Sequence, residues 1–451
     1  MRRIFLLLSA VVLLTGCYKD DINELKKEVN DLKERMALYE SLLDALNNRL
    51  YVVGYEARDG HYLISLSDGS TLTVNNCTVT LANGVMTFVF PDGRSISIDA
   101  AVPEIAITEP TGGFVITIMQ WLRIQPEVNS AGGVICTWRL DGEEISVEKD
   151  LLYVFAKAGS YSLELKAKNA MGESTKTIAV TVNDKTYTNG ITRVFEYLPA
   201  PGQYINKTPE ATAGDTPETM RQKAEDALTG GSIICLGGFG GYVVFGFDHV
   251  IVNRQDADFT VLGNAIATWA EPGVIMVSYD ANGNGLPDDE WYEIAGSEYH
   301  KPTTIKNYEI TYYKPETEPV TPNEPNYIRW TDNQGQTGFL SKNNSHTQTY
   351  YPLWKGESYT LKGTFMEANI YDPSGNGANW VNPAYEWGYA DNWANTDVRA
   401  QIDMDWAVDK NGNPVKLKGI DFVKVYTGNR AEGGWLGEVS TEVSGFTDLN
   451  L

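Results

Sequence analysis

The chain has 451 residues, of which 59 are acidic and 36 are basic, and its formal net charge at neutral pH is −23. A surface of that charge repels phosphate backbones and anionic headgroups, which excludes nucleic acid as the partner. Four histidines against 25 tyrosines and 11 tryptophans favour stacking recognition over His-driven catalysis. The length allows two or three domains with their own cores.

The first seventeen residues have the composition of an export signal. Two arginines precede an apolar run that is shorter than the about twenty residues needed to span a bilayer. Leu14–Cys17 reads Leu-Thr-Gly-Cys and resembles the bacterial lipoprotein signal, in which the cysteine is acylated. Lys19–Asp21 looks like the surface-export signal of Bacteroidetes lipoproteins. We therefore expect a signal peptide over 1–17, lipidation at Cys17, and a lipid-anchored body exposed at the surface of the outer membrane.

Residues 20–50 carry a heptad pattern. From Ile22 to Leu50 the spacing between apolar residues alternates between three and four over four heptads. A period of 3.5 residues predicts a coiled coil, whose apolar stripe is buried only against another helix. We therefore expect a stalk that forms a homo-oligomer, and folding of the helix back onto its own chain is the alternative. One seam consists of Ile22, Val29, Met36, Leu43 and Leu50, and the other of Leu25, Leu32, Tyr39 and Leu46.

After Leu50 apolar residues alternate with polar ones, as they do in β-strands. Asp68-Gly69 and Asn83-Gly84 interrupt the alternation with residues that accept the positive φ angles of tight hairpins. Segments 62–74 and 86–98 look like two copies of one hairpin, so residues 51–101 are predicted to form a β-hairpin module. A coiled coil followed by such hairpins resembles the N-terminal module of Bacteroidetes surface lipoproteins.

Residues 102–184 have the pattern of an immunoglobulin-like sandwich. Trp138 stands on a predicted strand before the turn Asp141-Gly142, and Tyr161 lies at the start of another alternating strand. This order resembles a PKD-type domain with Tyr161 in the tyrosine-corner position. Such domains act as spacers or adhesion units, so we expect no chemistry here.

Residues 187–451 form the largest predicted unit and have to carry any specific function. One helix is clear, because Asp215-Thr216 supplies a cap, Pro217 opens it and Gly230-Gly231 ends it. The remaining segments are strand-like, with long polar loops and no strand–helix alternation, which predicts a β-sandwich or jelly roll with one or two helices. The whole chain is therefore expected to be mainly β. The predicted strands are 232–236, 242–247, 259–262, 274–279, 291–294, 308–313 and 420–426.

The loop 280–290 matches the first part of an EF-hand calcium loop. Oxygen-bearing side chains occupy positions 1, 3, 5 and 9, a glycine occupies position 6, and a backbone carbonyl would fill position 7. Position 12, where an EF-hand has a bidentate Glu, is Trp291, which excludes a complete EF-hand. The sequence predicts a structural calcium ion, with an ion-free Asx-rich turn as the alternative. The expected ligands are Asp280, Asn282, Asn284, Leu286 and Asp288.

Segment 380–393 is rich in aromatic rings and poor in aliphatic residues. Amide and carboxylate side chains lie between these rings, and the loop 343–351 has similar chemistry. Rings supply contact area and polar groups fix orientation, as a site for a sugar or another large amphipathic ligand requires. The alternative is that some of the rings belong to the core. The expected ligand-binding residues are Trp380, Tyr385, Trp387, Tyr389, Asn392, Trp393, His346 and Tyr350.

Recognised hydrolytic motifs are missing from the sequence. It has no Gly-x-Ser-x-Gly elbow, no His-Glu-x-x-His and no usable Cys–His pair. A carboxylate pair for glycoside hydrolysis stays open, because the separation of two acids is a three-dimensional property. We therefore expect a binding protein without enzymatic activity and without a catalytic cofactor.

Two stretches of the C-terminal region carry a family resemblance. One runs from 240–249 through 271–285, and the other from 387–392 through 407–425. They resemble the C-terminal domain of Bacteroidetes cell-surface lipoproteins, a family that includes vitamin B12-binding proteins encoded with corrinoid-uptake systems. The resemblance implies capture of cobalamin and its delivery to an outer-membrane TonB-dependent transporter. A carbohydrate-binding surface lipoprotein is the alternative, and a glycoside hydrolase is a third hypothesis that no motif supports.

Overall fold

A computed structural model describes residues 25–30, 32–33, 36–37, 40–41, 52–58, 61–75, 77–89, 93, 95–130, 133–169, 171–318 and 323–451. Strands predominate among these residues, so the expected mainly β class is confirmed. They divide into two compact units. The first lies within 1–116, 122–152 and 159–182, and the second consists of 117–121, 153–158 and 183–451.

The described part of the predicted stalk, residues 25–30, 32–33, 36–37 and 40–41, is α-helical. Its apolar seam residues are each about half exposed, which is what a helix without its partner would show. These residues are Leu25, Val29, Leu32 and Met36. The coiled coil itself is not shown and stays a prediction, and the rest of 20–50 lies outside the described residues. Within the described part of the chain, no helix has the length and apolar character to cross a membrane.

Two three-stranded antiparallel sheets follow, as the predicted repeat of a hairpin requires. Their strands are β1 (Val52–Arg58), β2 (His61–Leu66), β3 (Thr71–Asn75), β4 (Thr78–Ala82), β5 (Val85–Val89) and β6 (Ser95–Asp99). Asn83 and Gly84 connect β4 to β5 with φ angles of 51° and 74°, the positive values that a type I′ turn needs. Buried residues of both sheets, among them Ile64, Met86 and Phe88, form one core. The two sheets therefore bury their apolar faces in a common core.

Nine strands form the next region, and a five-stranded sheet has the order β12-β11-β14-β15-β8. The strands are β7 (Glu104–Ala106), β8 (Phe114–Thr117), β9 (Trp121–Ile124), β10 (Glu127–Asn129), β11 (Ile135–Leu140), β12 (Glu143–Ser146), β13 (Leu151–Val154), β14 (Gly159–Asn169) and β15 (Gly172–Asn183). Trp138 on β11 is fully buried beside its β14 partner Leu165. Its indole N–H donates to the carbonyl of Lys149 at 3.0 Å. The inner-strand Trp that the sequence predicts is therefore confirmed.

The second unit contains the predicted helix, α1 (Pro217–Thr229). It begins with a capping box, because the Thr216 hydroxyl accepts from the Thr219 N–H while the Thr219 hydroxyl accepts from the Thr216 N–H. Gly230 caps its C-terminal end through hydrogen bonds to the last carbonyls. Its buried face consists of Met220, Ala224 and Leu228.

The strands of the second unit from residue 193 onward form antiparallel sheets. They are β16 (Arg193–Leu198), β17 (Ile234–Cys235), β18 (Tyr242–Val252), β19 (Phe259–Leu262), β20 (Gly273–Ser278), β21 (Tyr292–Ile294), β22 (Ile305–Tyr313), β23 (Glu324–Asp332), β24 (Thr337–Lys342), β25 (Ser358–Phe365), β26 (Gln401–Ile402), β27 (Ala407–Val408), β28 (Gly419–Thr427), β29 (Glu442–Val443) and β30 (Gly445–Asp448). The sheet orders are β16-β18-β28-β20-β21-β27, β24-β23-β22-β25, β26-β19-β30 and β17-β29. Three short 3₁₀ helices span Val398–Ala400, Met404–Trp406 and Gly434–Leu436.

The six-stranded sheet of this unit is covered on both faces. Ile275 and Val425 point to a core that also contains α1 and the β26-β19-β30 sheet. Val274 and Tyr426, one position away on the same strands, point to the opposite side, because side chains alternate along a strand. There they pack with Met366, Tyr385 and Tyr389. This layered arrangement does not confirm the expected jelly-roll topology.

Candidate ligand-binding cleft

A cleft of about 460 Å³ opens between loops of the second unit. The loops that follow β16, β19, β24, β25 and β28 all contribute to it. Its volume lies in the range of small-molecule sites. The lining combines aromatic rings with acids. The rings are those of Tyr204, Trp269, His346, Trp380 and Trp435, and the acids are Glu271, Glu438 and Glu442.

Three tryptophans from three different loops meet at this cleft. Trp435 is 55% exposed, and Trp269 and Trp380 are half-buried. A Cβ on Gly433 would lie 2.5 Å from the Trp269 ring, and one on Gly434 would lie 2.5 Å from the indole nitrogen of Trp380. Gly434 also has a φ of +56°, which residues other than glycine adopt at a cost. The glycine turn before Trp435 therefore lets the backbone approach the other two rings.

The polar groups of two of these tryptophans are already engaged. The Trp380 indole N–H donates to the Gly377 carbonyl at 3.2 Å, and that of Trp435 donates to the Ala378 carbonyl at 3.3 Å. What the two side chains offer a ligand is therefore apolar ring surface, held in place by the hydrogen bonds.

Tyr204 and His346 form an aromatic pair that also lines the cleft. Their rings pack edge to face with centroids 4.9 Å apart, and the Tyr204 hydroxyl lies 3.2 Å from Nε2 of His346. Burial, with Lys207 nearby, lowers the pKa of His346, so the imidazole is neutral at neutral pH. A neutral imidazole has a ring nitrogen that can exchange hydrogen bonds with a ligand hydroxyl.

Glu438 is a buried acid in the lining of the cleft. It is 3% exposed, and one carboxyl oxygen accepts from the Gln203 N–H at 2.6 Å. Its other oxygen, Oε2, has no hydrogen-bond partner among the described residues. Burial raises the pKa of Glu438 to about 8, against the Gln203 hydrogen bond, which lowers it. At neutral pH most of this carboxyl is therefore protonated and can donate a hydrogen bond.

Three further carboxyl groups, those of Glu271, Asp391 and Glu442, converge beside the cleft. One oxygen from each lies within 4.8 Å of the others. Burial raises the pKa of all three, and the negative charge of Glu271 adds to the rise for the other two. For Asp391 the raised pKa is about 8. Glu271 and Glu442 line the cleft, whereas Asp391 is not among its lining residues.

The structure brings two of the eight predicted ligand-binding residues into this cleft, namely Trp380 and His346. Four others are buried away from the cleft. Tyr385 donates to the Glu367 carbonyl at 2.7 Å, and Tyr389 accepts from the Glu298 N–H at 2.9 Å. Asn392 donates to the Tyr385 carbonyl at 2.9 Å, and Tyr350 is completely buried in the core of the four-stranded sheet. Their hydrogen bonds are internal, so they offer a ligand no surface in this conformation.

The remaining two, Trp387 and Trp393, are half-buried and lie outside the cleft lining. The Trp387 ring packs against Trp406 with centroids 4.6 Å apart. The guanidinium of Arg399 lies 3.2 Å from the centroid of the Trp393 ring and covers one face of it.

The predicted calcium loop is closed by its own hydrogen bonds. Asp280 accepts from the backbone N–H groups of residues 283, 284 and 285. The side-chain amides of Asn282 and Asn284 each donate to Asp288 at 2.9 Å, and these bonds lower the pKa of Asp288. The loop thus has the Asx-turn bonding of the alternative interpretation. Calcium binding by Asp280, Asn282, Asn284, Leu286 and Asp288 stays a prediction.

Most of the cleft residues were not predicted from the sequence. Trp269, Glu271, Trp435, Glu438 and Glu442 are isolated in their segments and have no motif around them. One available signal was the run Gly-Gly-Trp-Leu-Gly at 433–437, because so many glycines weaken a strand and indicate a loop that holds the Trp. A single acid gives no comparable signal.

Two parts of the chain match known families. Residues 1–17 match the prokaryotic membrane lipoprotein lipid attachment site, and residues 102–169 match the PKD-like domain. No curated protein is significantly similar to the chain. The export signal and the PKD-like domain predicted from the sequence are therefore confirmed.

Solved structures resemble the chain only at low identity. A SusE-like protein is 8% identical with a TM-score of 0.24, and the match covers 83% of this chain and 96% of that protein's chain. SGBP-B of the Bacteroides ovatus mixed-linkage glucan utilization locus, solved in complex with a mixed-linkage heptasaccharide, is 16% identical with a TM-score of 0.17. It covers 53% of this chain and 46% of its own.

Fibronectin(III)-like modules of Clostridium thermocellum CbhA are also 16% identical with a TM-score of 0.17, and cover 29% of this chain and 82% of their own. Similarities at this level do not establish a shared function. What the matched regions do establish is a lipoprotein with an N-terminal lipid attachment site and a PKD-like domain.

Proposed function

We propose that the protein is a surface lipoprotein that binds a carbohydrate in the cleft of its second unit. The observation that carries this proposal is the meeting of Trp269, Trp380 and Trp435 with buried acids in one open cleft. Binding without turnover is part of the proposal, because no recognised catalytic motif accompanies the acids.

Ring surface and hydrogen-bonding groups are the two things that a sugar requires. A pyranose has apolar C–H faces that pack on indole rings, and hydroxyls at its rim that need donors and acceptors. The half-exposed Trp435 supplies the first, and Tyr204, His346 and Glu438 supply the second. A protonated Glu438 can donate to a sugar oxygen, which an ionised carboxylate cannot do.

The corrinoid interpretation has less support from the geometry. It depended on the rings of 380–393 forming one open surface, and Tyr385 and Tyr389 are instead part of the core. The cleft, at about 460 Å³, is better matched to one or two sugar rings or the end of a glycan chain than to a corrin with its nucleotide arm. Cobalamin is therefore kept as a competing ligand in the test.

The anchor and the stalk complete the proposal. Acyl chains on Cys17 would hold the protein at the outer membrane, and the helical segment would form a coiled coil with copies of itself. The spacer-like PKD domain and the cleft would then face the medium. A glycan caught there would be passed to a TonB-dependent transporter in the same membrane.

The test uses the full mature chain with Cys17→Ser, so that the protein is soluble. It is screened on a glycan array, and any hit is followed by calorimetry with the free oligosaccharide, and with cyanocobalamin as a separate titrant. We expect saturable oligosaccharide binding and no heat with cyanocobalamin. Cyanocobalamin binding without any glycan signal would contradict the proposal, and release of shortened glycan products would contradict its non-enzymatic part.

A further inference from the structure

We propose that Glu271, Asp391 and Glu442 bind a hard divalent cation, Ca²⁺ by preference, beside the cleft. The site is distinct from the loop 280–290, and its ion can be measured without any sugar. The inference therefore does not depend on the proposed glycan binding.

The spacing of the three carboxylates suits one ion. Ca²⁺ binds oxygens at about 2.3–2.6 Å, so two oxygens on the same ion are at most roughly 4.6–5.2 Å apart. One oxygen from each of the three carboxylates lies within 4.8 Å of the other two. Even at the 4.8 Å limit the three oxygens would lie about 2.8 Å from a common centre, so side-chain shifts of a few tenths of an ångström bring all three onto one ion.

Hydrogen bonds from the backbone fix the orientation of these ligands. Oδ1 of Asp391 accepts from the N–H groups of Asn264 and Ala265 at 2.8 Å, and Oδ2 accepts from the Glu442 N–H at 3.0 Å. Glu271 accepts from the Ser440 N–H at 3.0 Å. Outer hydrogen bonds of this kind orient the ligands of metal sites.

One oxygen of the cluster has nothing to bind. Glu442 is 7% exposed, and its Oε2 meets no hydrogen-bond donor among the described residues. An oxygen of Glu271 also lies within 4.8 Å of one of Glu442, and two carboxylates that close in a buried site need a proton or a cation between them. An unpartnered buried carboxylate oxygen is costly, and a cation would remove that cost.

No protein cation balances this charge in the described residues. None of the ion pairs among them includes Glu271, Asp391 or Glu442. Three carboxylates without nitrogen or sulfur ligands select a hard ion such as Ca²⁺, Mg²⁺ or Mn²⁺. Ca²⁺ is favoured because it tolerates irregular carboxylate geometry, whereas Mg²⁺ demands a near-ideal octahedron. Glu271 and Glu442 line the open cleft, which gives the ion a path to the site.

The experiment is a calorimetric titration of CaCl₂ into the EDTA-treated full mature chain carrying Cys17→Ser. We expect Glu442→Gln to lose one equivalent of Ca²⁺ relative to the parent, or to bind it at least tenfold more weakly. Glu309→Gln, at an exposed carboxylate of β22 that belongs to neither the cluster nor the loop 280–290, is the matched control and should keep that equivalent. Circular dichroism and thermal melts establish that each variant is folded, and Glu271→Gln, at a partly exposed ligand, replaces Glu442→Gln if the latter does not fold.

A second readout places the ion near the cleft. Trp269 lines the cleft together with Glu271, so Tb³⁺ bound to the three carboxylates should show emission sensitised by tryptophan. Trp269→Phe should weaken that emission, and added Ca²⁺ should quench it. The inference is overturned if the parent binds no Ca²⁺, or if Glu442→Gln and Glu271→Gln keep its stoichiometry and affinity. A chain that binds Ca²⁺ but no oligosaccharide would refute the proposed function and leave this site standing.

Discussion

Burial gives Glu438 a chemistry that its sequence context does not reveal. With 3% of its surface exposed and a pKa of about 8, it is a neutral acid in a cleft at neutral pH. A carboxyl whose pKa is higher in the folded than in the unfolded state contributes stability that is fully present below the unfolded pKa. For Glu438 this contribution is lost as the pH rises from about 4.5 through about 8.

Glu438→Gln should therefore make the protein more stable than the parent at alkaline pH. Near pH 5 we expect the variant and the parent to unfold at similar urea concentrations, because both carry a neutral group at this position. Near pH 9 the variant should be more stable by at most roughly 5 kcal/mol, from about 1.36 kcal/mol per pKa unit. A stability difference that does not change with pH would contradict the pKa assigned to Glu438.

Residue type alone does not show which side chains of segment 380–393 line the cleft and which lie in the core. Trp380 and Tyr385 stand five positions apart in the same aromatic segment, yet one lines the cleft and the other lies behind the six-stranded sheet. The two side chains differ in the hydrogen-bond partner of their polar group and in the strand that packs against their ring. Both are long-range properties, as the Trp435 N–H bonded to the Ala378 carbonyl illustrates.

Among the elements, β18 and β30 are joined by a buried histidine. His249 on β18 has Nδ1 2.9 Å from Asp248 and Nε2 3.2 Å from Asp448 on β30. Burial alone would lower the pKa of His249, but the hydrogen bonds to Asp448 and Asp248 outweigh it and raise the pKa. Since the folded pKa lies above the unfolded one, this contact stabilises the fold at low pH and loses its effect as the pH rises through the folded pKa.

Asp448→Asn should therefore destabilise the protein more at about pH 6 than at about pH 9. At the lower pH we expect a loss of about 1.5–3 kcal/mol, the range for a hydrogen bond to a charged group. Chemical denaturation of variant and parent at both pH values measures the difference. An equal loss at the two pH values would contradict a charge on His249 that is present at about pH 6 and lost by about pH 9.

Elements with strong local signals were predictable, and those stabilised by distant contacts were not. The helix α1 and the strand β19 lie where the capping residues and the apolar run predict them. Strands β23, β24 and β25 were missed, because the segment 324–365 mixes Pro, Asn and Gly with aromatic residues. They become strands by pairing with β22, and their rings form a core with Tyr308 and Tyr312.

For the molecule as a whole, the exposed seam of the N-terminal helix predicts self-association. Leu25 and Leu32 are 54% and 55% exposed in the single chain, and a second helix would bury both. We expect the mature chain to be an oligomer in light scattering coupled to size exclusion. Leu25→Glu with Leu32→Glu should make it a monomer. Replacing the exposed Lys27 and Ser41 by Glu, on the side of the helix opposite the seam, is the control that leaves the seam intact. A parent chain that is already monomeric would contradict the coiled coil.

The central claim is that the cleft tryptophans Trp269, Trp380 and Trp435 bind the ligand, and that Trp387 and Trp393, outside the cleft, do not. The most direct measurement is calorimetry with the oligosaccharide found on the array, using Trp380→Ala and Trp435→Ala against the control Trp393→Ala. By analogy with base stacking, each cleft variant should lose about 1–3 kcal/mol, or roughly 5- to 150-fold in affinity. Trp393→Ala should bind like the parent, because its ring lies outside the cleft lining. Unchanged affinity in both cleft variants, or a loss confined to Trp393→Ala, would contradict the account.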